Sequence, residues 1–292
     1  MALTINTNLS SMIVQSNLQK STNQLNNAIE RMTTGYKINH AADNAAGYSI
    51  ARNWEAKLGS LDVAADNAAT GADMLSTLED NYALISSHVQ RVRDLTEQAA
   101  NGTYGTQSKN AIESEITARL DEIDRIAANC EFNGIDLMAG GNTGAAKDGL
   151  DIQVGIEGSA TKSRIHLKKE LFASGSVQGL FSETKANLAH RCAGLDTTEG
   201  NSAQEQLAKI DTVINTISGR ITTLGAAQNR IESAIESIGV QSENITSSLS
   251  TLRDADVATE SSNYIKAQIL QQASATLLAT ANQTPSIALN LL

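Results

Sequence analysis

From Leu207 onward, apolar residues recur along the chain at alternating steps of four and three. One seam runs Ile210, Ile217, Leu224, Ile231, Ile238, Ile245 and Leu252. Its partner runs Leu207, Ile214, Ile221, Gln228, Ile235, Ser242 and Leu249, then fails at Asp256. Two apolar seams at this spacing predict one helix packed along its whole length as a coiled coil. At 1.5 Å per residue, residues 204–254 would form a rod of about 75 Å. Gln228 and Ser242 interrupt the second seam and read as positions that fix register at some cost in stability. The N-terminal half offers a partner, since Leu75, Leu78, Tyr82, Ile85, Val89 and Val92 repeat the three-four spacing and NGTYG (101–105) ends that helix. A third stripe, Ile116, Leu120, Ile123, Ala127 and Cys130, closes at Asn133-Gly134, so Cys130 reads as a small buried hydrophobe.

Elsewhere the period changes or disappears. AGGNTGAAKDG (139–149) is a loop by composition. LDIQVG (150–155) and SRIHL (163–167) alternate across a Gly-containing turn and predict a small hairpin. Residues 173–203 keep no period and read as a connector with short turns. The expected fold is mainly α, a long antiparallel helical coiled-coil bundle with a small β-hairpin element.

The two ends share an unusual composition. Residues 1–29 hold one charged side chain, Lys20, and residues 267–292 hold none. Both are rich in Asn, Gln, Ser and Thr, with apolar residues at helical spacing: Leu18, Leu25 and Met32 in one, Ile265, Ile269, Leu277 and Leu278 in the other. Frayed termini are the plainer explanation. Frayed tails, however, are usually charged and lack helical periodicity. These segments bury too little surface to fold alone, and the expectation is that they fold against other copies of the chain.

Composition narrows function mainly by exclusion. Lys and Arg number 22 against 32 Asp and Glu, a net charge of −10, with no basic stretch, so nucleic-acid binding is not expected. Aromatics are only 3 % of residues, with a single Pro (Pro285) and a single Trp (Trp54), leaving few anchors for a deep ligand pocket and few helix breakers. No apolar run approaches the roughly 20 residues of a membrane span, and no apolar segment follows a charged start, so neither membrane insertion nor a cleaved signal peptide is expected. Cys130 and Cys192 stand alone and cannot form a disulfide framework.

Catalytic motifs are missing. His40, His88, His166 and His190 are scattered, and none lies in HExxH or beside a cysteine pair. GxSxG, Walker A and GxGxxG are absent. SxxK occurs as SATK (159–162) and SETK (182–185) without the SDN and KTG companions a Ser-Lys hydrolase needs. No enzyme, cofactor or metal is expected.

Longer segments carry a family resemblance over essentially the whole chain. RMTTGYKINHAADNAAGYSIA (31–51), QRVRDLTEQAANGT (90–103), IESEITARLDEIDRIAANCEFNGIDLM (112–138), LDIQVG, GAAQNRIESAI (225–235) and ADVATESSNYIKAQILQQASATLLATANQTPSIALNLL (255–292) resemble the signature segments of bacterial flagellins. The resemblance implies a terminal coiled-coil domain from residues 1–42 and 255–292. It implies a rod domain from 43–180, with its hairpin, and 204–254. Residues 181–203 become the connector where many flagellins insert outer domains, which look absent here. The implied function is a structural subunit that polymerises into the extracellular flagellar filament, exported unfolded by the type III flagellar route. The alternative is a hook-filament junction or minor specialised filament protein. The implied partners are the chain itself, a flagellar export chaperone, the filament cap and the hook-junction proteins.

The same resemblance implies recognition by host Toll-like receptor 5 through Arg91, Leu95 and Glu115, with Arg119 nearby. Arg91 and Leu95 lie four apart on one helix face, off the Val89/Val92 seam, and an Arg beside an exposed Leu suits a hot spot. Filament contacts or plain solvation would also account for these residues. Leu289, Leu291 and Leu292 resemble the segment sensed by cytosolic inflammasome receptors, although the common terminal Arg is missing. AHRCAGLDTTEG (189–200) has no family counterpart, which leaves Cys192 either shielded or reactive.

Overall fold

The computed structural model describes residues 7–138, 149–157, 163–196 and 202–289, with the side chains of 284–289 excepted. The described helices are α1 (Leu9–Thr34), α2 (Ala45–Ala100), α3 (Thr106–Asn129), α4 (Val177–Phe181), α5 (Lys185–Cys192), α6 (Ala203–Arg253) and α7 (Val257–Leu289). Four short strands, β1 (Glu131–Phe132), β2 (Ile135–Asp136), β3 (Leu150–Gln153) and β4 (Arg164–Leu167), form two separate antiparallel pairs. The chain divides into two compact units, Met1–Leu58 with Glu243–Leu292, and Gly59–Ser242. Both α2 and α6 contribute residues to each.

The larger unit has an aliphatic interior. Ile210, Ile217, Leu224 and Ile231 of the first predicted seam are fully buried, and Ile214, Ile221 and Ile235 of the second pack at its edge. They share one cluster with Leu75, Leu78, Tyr82, Ile85, Val89 and Val92 of α2 and with Ile116, Leu120 and Ile123 of α3. This is the predicted rod, with α6 running from Ala203 to Arg253. Cys130 is buried in the same cluster.

Polar groups fix the irregular segments onto this core. The Tyr82 hydroxyl donates to Ala173 O at 2.9 Å, and Arg220 Nη1 donates to Ser174 O at 2.9 Å while its guanidinium stacks over the Tyr82 ring. Asn133 and Gly134, at φ 50° and 77°, make the two-residue turn between β1 and β2, the backbone that an Asn-Gly pair favours. The predicted hairpin is β3 paired with β4, Ile152 opposite Ile165. It packs so closely on α2 that a Cβ at Gly71 would lie 2.4 Å from Ile152 Cδ1.

Residues 173–196 are more ordered than a connector with short turns. They contain α4 and α5, and α5 buries Leu188, Ala189 and Cys192. A helix of two turns presents too few apolar positions to establish a period, which is why the pattern did not reveal it.

The smaller unit is built on α1 and α7. Asn8 caps α1 by accepting from Ser11 N, and Gly35 closes it in the left-handed region at φ 74°. The two helices are antiparallel. Asn8 Nδ2 donates to Ala281 O, Ser11 Oγ to Asn282 Oδ1, Gln271 Nε2 to Thr22 Oγ1, and Arg31 pairs with Glu260. The positions turned toward the partner helix follow a heptad on both sides. They are Val14, Leu18, Ser21, Leu25 and Ala28 on α1, and Tyr264, Ala267, Gln271, Ser274 and Leu278 on α7.

The turns that leave these helices are tied together in the same unit. Tyr36 bridges Asp254, Lys37 N donates to Arg253 O at 2.7 Å, and Ala255 N donates to Gly35 O at 2.8 Å. Arg253, its side chain only 13 % exposed, stacks 4.0 Å from the Tyr36 ring centroid and pairs with Glu55. A charge-assisted pair held this far from water is worth more than a surface ion pair.

Candidate assembly surface

The paired helices α1 and α7 leave much of their apolar surface uncovered. Leu18, Leu25 and Leu278 are half-buried in the seam between them. Met32, Ile265, Ile269 and Leu277 point away from it, with Ile269 at 59 % and Leu277 at 58 % exposure. Leu9, Met12, Ile13 and Leu270, which the spacing argument did not single out, are exposed beside them. A helix with one apolar stripe has one buried face. These helices carry apolar residues beyond the stripe, and that surplus was the overlooked signal for a second contact face. Full burial of one such side chain stabilises by about 1.5–3 kcal/mol, and the seam collects that gain at few positions because Ser21, Ala28, Ala267 and Ser274 fill its centre. Exposed apolar residues in an almost uncharged segment mark an interaction surface.

On α2 and α3 the structure brings together three of the four residues assigned to receptor binding. Arg91 Nε and Nη2 donate to Glu115 Oε1 at 3.0 and 2.7 Å, and Arg119 Nη2 lies 3.9 Å from the same oxygen. All three side chains are substantially solvated. Leu95 departs from expectation, being 2 % exposed and part of the core cluster. The buried stripe widens at this end of α2 to take in Thr96 and Ala99, which draws Leu95 inward with them. An exposed hot-spot leucine is therefore not available at this position. Leu289, Leu291 and Leu292 lie outside the residues whose side chains are described.

Both thiols are shielded. Burial pushes Cys130 up to about 11, and burial likewise pushes Cys192 up to about 11, partly offset by a hydrogen bond with the Thr96 side chain. Cys192 is fully buried, so of the two readings left open by its sequence context, shielding is the one observed. A buried thiol with so little thiolate is a poor nucleophile. Both cysteines are free. Among the described residues, no group of three or more His, Cys, Asp and Glu could hold a metal ion, and no helix is long and apolar enough to cross a membrane.

Comparison with known proteins agrees at both ends. Residues 5–143 match the bacterial flagellin N-terminal helical region, and residues 207–292 match the bacterial flagellin C-terminal helical region. The chain is 32 % identical to a flagellin of Listeria monocytogenes, with 97 % of each chain covered. It is 33 % identical to a flagellin of Bacillus subtilis, with 99 % of each covered. It is 30 % identical to the flagellar filament 30.7 kDa core protein of Treponema maltophilum, with 95 % of each covered. Among solved structures, a Vibrio parahaemolyticus protein described as flagellar hook-associated superposes with a TM-score of 0.60 at 14 % identity, over 73 % of this chain and all of that one. That last likeness is one of fold.

Proposed function

The chain belongs to the bacterial flagellin family, as a structural subunit of the extracellular flagellar filament, and from that premise we propose how its two units divide the work. The rod unit folds within the single chain. The α1/α7 unit completes its burial only between neighbouring copies, so polymerisation is coupled to the ordering of the chain ends. The observation that carries this reading is the row of exposed apolar residues on α1 and α7, Met32, Ile265, Ile269 and Leu277 among them, on helices whose outer stretches hold only Lys20 in residues 1–29 and no charge in 267–292. A subunit that joins head to tail without rotational closure builds an open helix, hence a filament. Export in an unfolded state by the type III flagellar route, with an export chaperone, suits ends that pair late. The filament cap and the hook-junction proteins complete the set of partners.

Deletion tests this division. Chains lacking residues 1–30 or residues 265–292 are expected to remain soluble rods that do not extend sheared filament seeds. Normal filaments from either truncation contradict the proposal.

Recognition by Toll-like receptor 5 is the second part of the reading. It rests on the solvated Arg91–Glu115–Arg119 cluster, with Leu95 contributing to packing beneath it. Arg91→Ala is expected to weaken receptor binding in a pull-down with the receptor ectodomain. Unchanged affinity removes that role.

A further inference from the structure

The rod unit carries two patches of opposite net charge whose principal charged side chains form no ion pair among the described residues. The first lies in a groove of about 530 Å³ between β4, the short 3-10 turn that follows it, and α6. Leu167 and Leu171 are buried in its floor, and three cations, Lys168, Arg220 and Arg230, line it with one carboxylate, Glu170, leaving it net basic. Arg220 is already held by Ser174 O and stacked on Tyr82. The side chains of Lys168 and Arg230 are exposed, with no ion pair or hydrogen bond among the described residues.

The second patch is on the outer face of α2. Asp62, Asp66, Asp73 and Asp80 follow one another at steps of four, seven and seven, and Leu84 continues the line one turn further. At 3.6 residues per turn these five lie on a single stripe. All are exposed, Leu84 at 53 %, and no Lys or Arg occurs between Lys57 and Arg91. None of the four carboxylates is paired among the described residues.

We propose that the basic groove of one copy receives the acidic α2 stripe of the next, so that this pair of surfaces is a contact between neighbouring copies in the polymer. The proposal rests on the filament reading above and gives it a specific interface. Leu84 seats on the floor at Leu167 and Leu171, while Asp73 and Asp80 meet Lys168 and Arg230. Charge complementarity is the argument for a second copy as occupant. A chain of net charge −10 repels itself in general, and a local basic groove matched to an acidic stripe selects one register of approach. Because the two surfaces differ, the contact is heterologous and propagates instead of closing on itself as a twofold dimer does.

Polymerisation of the full chain tests this, with the critical concentration read by sedimentation and filaments checked by negative-stain microscopy. Asp73→Lys/Asp80→Lys and Lys168→Glu/Arg230→Glu are each expected to raise the critical concentration roughly tenfold or more, through like-charge repulsion across the contact. Thermal melting monitored by circular dichroism verifies that both variants fold. Combining all four changes in one chain, or mixing the two double variants, restores opposite charges across the contact and is expected to return the critical concentration most of the way to the unaltered value. Double variants that polymerise like the unaltered chain overturn the proposal. So does a fourfold variant, correctly folded, that remains as impaired as its parents. Failure of the unaltered chain to polymerise at all overturns the filament reading itself, and this contact with it.

Discussion

The two long-helix packings in this chain solve the same heptad problem with different side chains. In the rod unit, Ile210, Ile217, Leu224 and Ile231 share one cluster with Leu75, Leu78, Tyr82 and Ile85, all fully buried. In the terminal unit, the most buried facing positions are Ser21, Ala28, Ala267 and Ser274, while the larger Leu18, Leu25 and Leu278 remain half-exposed. Large aliphatic side chains at a seam bury enough area to hold a helix pair together in water. Small and hydroxylated ones do not, and they leave the apolar residues for the outer faces. The difference teaches where each unit draws its stability, the rod from its own interior and the terminal pair from what covers it.

The largest way to break the comparison is to open the rod interior. Leu120→Ala removes a fully buried side chain and is expected to cost about 2–5 kcal/mol in urea denaturation of the monomer. A cost under 1 kcal/mol would show that the rod is not where the stability resides. Next comes the hairpin contact. Gly71→Ala would place a Cβ 2.4 Å from Ile152 Cδ1, so the Ile side chain must shift, and with a helix-propensity gain of up to about 1 kcal/mol offsetting part of that strain the expected net loss is about 0.5–2 kcal/mol by the same measurement.

A smaller effect separates the units by pH. Cys130 and Cys192 hold their protons until about 11 in the folded rod, against an ordinary value of 9.0. The folded state therefore binds more protons than the unfolded chain between those values. This contribution is complete below about pH 9 and is lost as pH rises through 11. Urea midpoints of the rod should fall over that window, and less steeply in a Cys130→Ala/Cys192→Ala variant. The smallest effect on the monomer is expected at the exposed face, where Leu277→Ala should change stability by under about 0.5 kcal/mol while raising the critical concentration for polymerisation. Equal losses in monomer and polymer would remove the distinction between the two faces.

The rod was legible because large aliphatics at a strict three-four step are buried along a helix, so Ile210 through Ile238 and Leu75 through Val92 announced their packing, whereas Ile245 and Leu252 of the same seam lie in the smaller unit and are only half-buried. The hairpin was legible from alternation around Ile152 and Ile165. Other features depend on residues distant in sequence. The stacking of Arg253 on Tyr36, with Glu55 beside it, needs the two turns to meet before any of the three has a partner. Leu95 lies at the edge of the α2 stripe, and burial there depends on how far the core extends around the helix end, which spacing alone does not determine. The groove at Lys168 and Arg230 combines a strand end with a helix face more than fifty residues apart. Of the candidate surface, the apolar residues were visible at the ends, but the division between seam and outer face was not, because it requires knowing which flank α1 presents to α7.

Amide hydrogen exchange, followed by mass spectrometry on monomer and on assembled filament, tests the central claim most directly. Amides of residues 9–34 and 257–289 are expected to exchange rapidly in the monomer and become strongly protected in the filament, while those of residues 75–92 and 210–231 are protected in both. Equal protection of the terminal and rod helices in the monomer would contradict it, because the terminal pair would then be stable without a neighbour.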